Sequence, residues 1–213
     1  MRRPYPYAPI RRGEPLLRGL DPYMAYRKSP FALYALGEYV GEDKVNEALS
    51  NLLQTHDRPG ADLATTLDLY DQTDRRTPDS LKYLLHDLFK VNAFWDIKAG
   101  NIRATKLNGG RYKVHMDVTA KKVVYDSLGT TSEPEMDEWI DIGIFAPAKR
   151  GEGELSKPLY VKRHRIRTGK QTIEVTVDGK PGLAGADPYH ILDWEEREDD
   201  DNIGYVQVKN DGG

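Results

Sequence analysis

The spacing of apolar residues changes its period near Trp95, and this change constrains the fold more than any other feature of the chain. Before that point apolar side chains recur three and four positions apart, as at Leu81, Leu84 and Leu88, which is the spacing of one buried helix face. After it, apolar and polar residues alternate, most clearly over 112–118, as expected of strands. The sequence therefore predicts an α+β protein, with a helical block followed by an antiparallel β domain.

Four helices are predicted in the first part of the chain. Ser29 suits an N-cap and Pro30 suits the first helical position, so a helix should begin here and end at Gly41. The other three are predicted from apolar positions that share a face: Val45, Ala48, Leu49, Leu52 and Leu53; Leu63, Leu67 and Tyr70; and Leu81, Leu84, Leu85, Leu88 and Phe89. We interpret these faces as core packing.

The second part of the chain predicts short strands separated by turn residues. Strands are expected at 97–107, 112–118, 139–146, 158–166 and 171–177, with shorter ones near Leu183 and Tyr205. A hairpin turn is expected at Asn108, Gly109 and Gly110. This pattern favours an antiparallel, immunoglobulin-like β-sandwich. The expected organisation is an extended arm over 1–22, a helical domain over 23–94 and a β-sandwich domain over 95–213.

Composition excludes several classes of function. The 213 residues carry a net charge of -3, which gives no general attraction for nucleic acid or an anionic membrane. The chain has no cysteine, so disulfides and thiolate chemistry are excluded, and the compartment remains open. Because no run of ~18 apolar residues occurs, we expect a soluble chain. The basic start and the acidic stretch at 195–201 are interpreted as solvated surfaces.

One segment resembles a known enzyme family. Tyr26, Arg27 and Lys28 lead directly into an apolar helix, in a pattern similar to the catalytic-tyrosine segment of the aminopeptidase N-like gluzincins, which are zinc aminopeptidases. The resemblance extends over roughly residues 14–208 and also includes the helix at 78–89, the strand at 139–145 and the tail motif Ala186-Asp187-Pro188-Tyr189. It is greatest to the C-terminal region of bacterial members fused to transporter permeases.

The resemblance implies a role for Tyr26. In the family, the matching tyrosine donates a hydrogen bond to the oxyanion that forms when zinc-bound water attacks the peptide carbonyl. The usual glycine after the lysine is Ser29 here. The zinc motif His-Glu-x-x-His occurs nowhere in the sequence, so the resemblance implies that zinc and the peptide substrate bind to an upstream catalytic domain of the same polypeptide. Residues 23–94 would then be the helical remainder of that domain.

On this interpretation the chain alone is not catalytic and holds no cofactor, and the parent is a bacterial inner-membrane metallopeptidase. The histidines give no independent zinc motif, since His56, His86, His115, His164 and His190 lack the spacing of a ligand set. Gly151 and Gly153 belong to a hairpin connection and not to a phosphate loop, because the intervening glutamate would repel phosphate.

A second class of function stays open, that of a freestanding, non-catalytic binding or scaffold module with a helical adaptor. Its ligand platform would be formed by the aromatic residues of the β domain, Tyr112, Tyr125, Trp139 and Tyr160. We expect Trp139 to lie in the core instead, because it precedes an alternating apolar strand. If the helical block normally packs against a further domain, it should expose an apolar face and self-associate.

Overall fold

The structure is a computed structural model that describes residues 14–19, 24–148, 155–192 and 206–211. These residues divide into two compact units. The helical unit contains the described residues up to Ala93 together with Val124–Ser132, and the β unit contains Phe94–Val123 and the described residues from Glu133 onward. The protein is thus a mixed α+β protein, as the change of hydrophobic period predicts.

The helices of the helical unit are a π-helix at Met24–Lys28, α1 at Ser29–Val40, α2 at Glu42–His56, α3 at Thr66–Asp74 and α4 at Lys82–Phe89, with a 3-10 turn at Asp79–Leu81. None of the described helices combines the length and apolar character that crossing a bilayer requires. Of the predicted arm, only residues 14–19 are described, and there the Leu17 amide donates a 2.9 Å hydrogen bond to the Phe89 carbonyl.

The prediction that Ser29 caps the first helix is wrong. The π-helix continues directly into α1, so the residue before Ser29, Lys28, already has helical backbone angles and no side chain caps this end. The predicted end of α1 is confirmed. Gly41 has φ 113°, a conformation that glycine adopts without steric cost, and its amide bonds to the Gly37 carbonyl at 3.0 Å.

Two predicted apolar faces are narrower than the spacing indicates. In α2 the buried residues are Val45 and Ala48, whereas Leu53 is exposed. Leu63 lies before α3 and is 90 % exposed. The reason is a capping box, in which the Thr65 hydroxyl accepts from the Asp68 amide and the Asp68 carboxylate accepts from the Thr65 amide, so that the helix begins after Leu63.

The strands are β1 at Asn92–Lys106, β2 at Arg111–Tyr125, β3 at Thr131–Ser132, β4 at Asp137–Phe145, β5 at Pro158–Arg167, β6 at Gly169–Asp178, β7 at Leu183–Ala186, β8 at Val206–Gln207 and β9 at Lys209–Asp211. The first sheet has the order β3-β2-β1-β9, with β6 also paired to β2, and the second has the order β5-β4-β7-β8. Each predicted strand has a counterpart among the described strands. Most ends differ by a few residues, but β2 continues to Tyr125, well beyond the predicted end at 118. The residues just before β8, including Tyr205, lie outside the described chain.

The predicted hairpin turn joins β1 to β2. Gly109 and Gly110 have φ 71° and 77°, which explains why glycine follows Asn108 at both positions. Along β2 the side chains at even positions from Val114 to Lys122 are buried. One pairing departs from the predicted antiparallel pattern, because β9 runs parallel to β1. A strand that is not joined to its neighbour by a hairpin has no direction imposed by the turn.

Candidate functional site

Tyr26 lies in the middle of the π-helix and faces solvent. Its side chain is 80 % exposed, whereas Met24 and Lys28, two residues to either side, are each only 1 % exposed. In a π-helix, residues roughly four to five positions apart share a side, so the two flanking residues anchor one side and the tyrosine occupies the other. The backbone around Tyr26 is therefore held at both ends, and its hydroxyl is displayed at the surface.

Lys28 is the more unusual of the two anchors, because a lysine is rarely buried completely. Its Nζ donates to Asn92 Oδ1 at 2.8 Å and to the carbonyl of Ala93 at 3.3 Å, so that the π-helix is tied to the start of β1. Burial lowers the pKa of Lys28 to about 7, and the negative charge of Asp87 on α4 acts in the opposite direction. Lys28 is not among the site residues that the sequence predicts.

A signal for the burial of Lys28 was nevertheless present in the sequence. Lys28 is four residues before Ala32 and eight before Leu36, and both of these lie in the core of the helical unit. A lysine in register with a buried helical face indicates either a helix end or a buried polar contact. The structure shows the second of these.

Four of the five histidines have ring contacts with different neighbours, and the backbone amide of the fifth, His190, donates to the Asp187 carbonyl at 2.8 Å. His56 Nδ1 is 2.7 Å from the Asp62 carbonyl, His86 Nδ1 is 3.2 Å from Asp87 Oδ1, His115 Nδ1 is 3.5 Å from Glu174 Oε1, and His164 Nε2 is 2.8 Å from the Tyr160 hydroxyl. Within the described ranges no three histidine, aspartate or glutamate side chains come together as a metal site. The acidic stretch at 195–201 and the glycines at 151 and 153 lie outside these ranges.

The tail motif at 186–189 forms a tight turn. Asp187 is buried with φ 46°, and its carboxylate accepts from the amides of Ile191 and Leu192, each at 2.8 Å. The next residue, Pro188, packs against β4 at Gly143, where an added Cβ would come within 2.7 Å of the proline ring. These contacts account for the motif as a structural element.

The β unit contains a buried polar cluster that the sequence pattern did not predict. Glu138 on β4 accepts hydrogen bonds from Lys122 Nζ and from Trp95 Nε1, both at 2.7 Å. Lys122 continues the buried even-numbered positions of β2, and this parity is the signal that could have revealed it. The three side chains come from both sheets of the unit.

The aromatic residues considered as a ligand platform lie apart within β2 and within the β4–β5 pair. Trp139 and Tyr160 belong to the paired strands β4 and β5, but Trp139 faces Arg165 and Tyr160 faces Ile144, at the two ends of the ladder. Tyr112 and Tyr125 likewise lie at opposite ends of β2.

The expectation that Trp139 is a core residue is wrong. It is half-exposed, with the Arg165 guanidinium 5.3 Å from its ring centroid, because the buried face of β4 carries Glu138 and Ile140. Of the two tryptophans within the described ranges, Trp95 is the one that lies in the core, and it is fully buried.

The helical unit also contains an open groove of about 450 Å³ between α2 and α3. It is lined by polar side chains: Glu47, Asn51, Thr55, Gln72, Arg75 and Arg76. Arg76 is already engaged, since its guanidinium donates to Glu47 Oε1 at 3.0 Å and to the Gln72 carbonyl at 2.8 Å. The groove contains none of the site residues that the sequence predicts.

The chain matches no protein-family model, and no curated protein sequence is significantly similar to it.

Proposed function

We propose that this chain supplies Tyr26 to the active site of a zinc aminopeptidase of the aminopeptidase N type. The zinc ligands and the peptide-binding residues would come from an upstream catalytic domain of the same polypeptide. The observation that supports the proposal is the contrast between the exposed Tyr26 and its two buried neighbours, Met24 and Lys28. A tyrosine displayed on an anchored π-helix suits a hydroxyl that must meet a substrate held by another domain, because π-helices are frequent at functional sites.

The chemical role follows from the phenol group. A tyrosine hydroxyl donates a hydrogen bond, and a donor held about 3 Å from the developing oxyanion stabilises the transition state more than the substrate. This requires a fixed backbone, because a donor that must be ordered during the reaction loses part of its contribution. The anchors at Met24 and Lys28 meet that requirement within the helical unit.

For the β unit we propose an immunoglobulin-like sandwich that forms one wall of the same enzyme. Its support is that β2 and β4, which belong to different sheets, share the buried pair Lys122 and Glu138. Face-to-face packing of two mainly antiparallel sheets is the arrangement of such sandwiches. In this role the unit is structural and contributes no catalytic group.

The test is Tyr26→Phe in the polypeptide that contains the zinc-binding domain. If the hydroxyl acts on the oxyanion, kcat for an aminoacyl substrate should fall by about 10²- to 10³-fold while KM and zinc content change little. Tyr34→Phe is the matched control, since Tyr34 is also an exposed tyrosine of the helical unit, and it should leave kcat unchanged. Equal kcat values for Tyr26→Phe and the unmodified enzyme would contradict the proposal.

The chain tested alone provides a second control. An oxyanion donor without a zinc-activated water has no nucleophile to assist, so we expect no release of amino acids from aminoacyl substrates. Elemental analysis should find no stoichiometric zinc. One tightly held zinc per chain, with activity that a chelator abolishes, would contradict the assignment of the metal to another domain.

The second candidate function is a scaffold or binding module that works through its apolar surface. It is favoured by three exposed leucines of the helical unit, Leu53, Leu63 and Leu67. Under this hypothesis the chain would self-associate or bind a partner protein, and Tyr26→Phe would have no catalytic consequence. Light scattering over a range of concentrations should then show association that Leu63→Ser reduces. Together with the Tyr26→Phe assay, this result distinguishes the two functions.

A further inference from the structure

We propose that Lys28 is the positioning residue for Tyr26, because its bonds to the start of β1 hold the π-helix in the register that presents the tyrosine hydroxyl. This inference rests on the proposed function of Tyr26 and adds the group that controls its orientation. Lys28 does not need to touch the substrate. It acts through the backbone that it shares with Tyr26, two residues away.

The geometry of the π-helix explains why an anchor is needed. A π-turn contains one residue more than an α-turn and is uncommon, since the α-helical register is normally preferred. If Met24–Lys28 relaxed to that register, the residues before α1 would rotate by roughly 100° about the helix axis, which is the angle that one residue subtends. Tyr26 would then point in a different direction. The orientation of its hydroxyl therefore depends on whatever keeps the π-turn in place.

Lys28 is placed to do this. Two acceptors of its ammonium group, Asn92 Oδ1 at 2.8 Å and the Ala93 carbonyl at 3.3 Å, lie at the beginning of β1, more than sixty positions along the chain. Both hydrogen bonds end on a strand and not on the helix itself. They can thus hold the π-helix against a neighbouring element, whereas bonds within the helix would move with it.

The charge state of Lys28 gives the anchor a dependence on pH. The groups that face it include the Asn92 amide and the Ala93 carbonyl from β1 and the Asp87 carboxylate from α4, which also lies 3.2 Å from the His86 ring. Because burial lowers the pKa of Lys28 to about 7, its ammonium group loses a proton close to neutral pH and its attraction to Asp87 is lost. We expect the order of the π-helix to change with the same midpoint.

NMR spectroscopy of this chain tests the inference without zinc or substrate. The Cε resonance of Lys28, labelled with ¹³C, should titrate with a midpoint of about 7, and the amide resonances of Ala25, Tyr26 and Arg27 should shift with that midpoint. In Lys28→Met these pH-dependent shifts should disappear, and the heteronuclear NOE of the three amides should fall. Lys44→Met, an exposed lysine of the same unit, is the control and should leave all of them unchanged.

Asn92→Asp provides a second variant that preserves the size of the side chain. It places a carboxylate next to Nζ, so the midpoint for Lys28 and for the three amides should move together to higher pH. The positioning role would be overturned if the three amide resonances did not shift as Lys28 titrates, or if their NOE values were unchanged in Lys28→Met. The NMR result does not depend on the catalytic role of Tyr26, and the Tyr26→Phe assay does not depend on the positioning role of Lys28. Failure of one proposal can therefore be distinguished from failure of the other.

Discussion

Lys122 Nζ lies 2.7 Å from Glu138 Oε1, and this buried ion pair joins β2 of one sheet to β4 of the other. Trp95 Nε1 donates to the second oxygen of the same carboxylate at 2.7 Å. A buried charge costs several kcal/mol unless it is paired and hydrogen-bonded, so each partner makes the burial of the other tolerable. The pair therefore links the two sheets of the β unit through buried charges.

Breaking this pair from one side should be costly. Lys122→Met leaves the Glu138 carboxylate buried without its counter-ion, and we expect the free energy of unfolding in urea to fall by about 3–5 kcal/mol. Glu138→Gln removes the carboxylate that pairs with the buried Lys122 ammonium group, and the free energy of unfolding should fall by a similar amount. The double variant removes both charges while the new side-chain amide at position 138 still accepts from Trp95, so its loss should be much smaller than the sum of the single losses. Additive losses would show that the two charges do not interact.

Lys28 should make the stability of the helical unit increase with pH. In the unfolded chain its pKa is the ordinary 10.5, and burial lowers it to about 7 in the folded state. Between these values the unfolded chain binds one more proton, so the free energy of unfolding should rise by up to about 1.4 kcal/mol per pH unit. Below about pH 7 both states are protonated and Lys28 contributes no slope.

Urea denaturation of the original chain and of Lys28→Met tests this dependence. The free energy of unfolding of the original chain, relative to that of Lys28→Met, should increase as pH rises from about 7 to about 9. Other groups that titrate in this range cancel in the difference, because both proteins contain them. A difference that stays constant would mean that the pKa of Lys28 is not lowered by burial.

Asp117 should contribute stability that is lost in acid. Its carboxylate accepts from Lys170 Nζ at 2.8 Å, Asn101 Nδ2 at 2.8 Å and Thr172 Oγ1 at 3.1 Å, and these hydrogen bonds, that of Lys170 foremost, lower its pKa to about 2. A lowered pKa stabilises the folded state above the ordinary value near 3.8, and this stabilisation disappears as pH falls toward 2.

The matched variants for this prediction are Lys170→Gln and Asp117→Asn. Lys170→Gln removes the strongest donor, so the acid unfolding transition should move to higher pH. Asp117→Asn has no titrating carboxyl and should flatten the dependence on pH between about 4 and about 2. Circular dichroism during acid titration measures both effects, and identical profiles for all three proteins would rule out this contribution.

Asp187 should stabilise the tail turn through its carboxylate. Asp187→Ala loses the two hydrogen bonds to Ile191 and Leu192 and places alanine at φ 46°, so we expect a loss of about 2–4 kcal/mol. Asp187→Asn keeps one acceptor oxygen and a residue that tolerates this backbone, and its loss should be smaller. Asp178→Ala, at the exposed end of β6, is the control and should change the urea midpoint little. Equal stability of the alanine variants would contradict the role of the turn.

The sequence by itself determined the four α-helices, most of the strands and the order in which they occur. These features depend on local spacing, such as the apolar stripe of α4, and on local backbone requirements, such as the two glycines at the β1–β2 turn. The prediction of Tyr26 as a catalytic residue also came from the sequence, through its resemblance to the aminopeptidase N-like gluzincins, and it stays a prediction. The same sequence pattern did not predict that the side chain of Tyr26 is exposed.

Only the tertiary structure decided which polar residues are buried and which aromatic residue is central. Lys28 is buried because Asn92 lies beside it in space, and Lys122 because Glu138 does, although both partners are distant in sequence. Trp95 is in the core and Trp139 is not, because the packing of other elements against β4 decides which of its two faces is buried. Burying a charge or choosing a strand face depends on partners from other elements, and hydrophobic spacing along one segment carries no information about them.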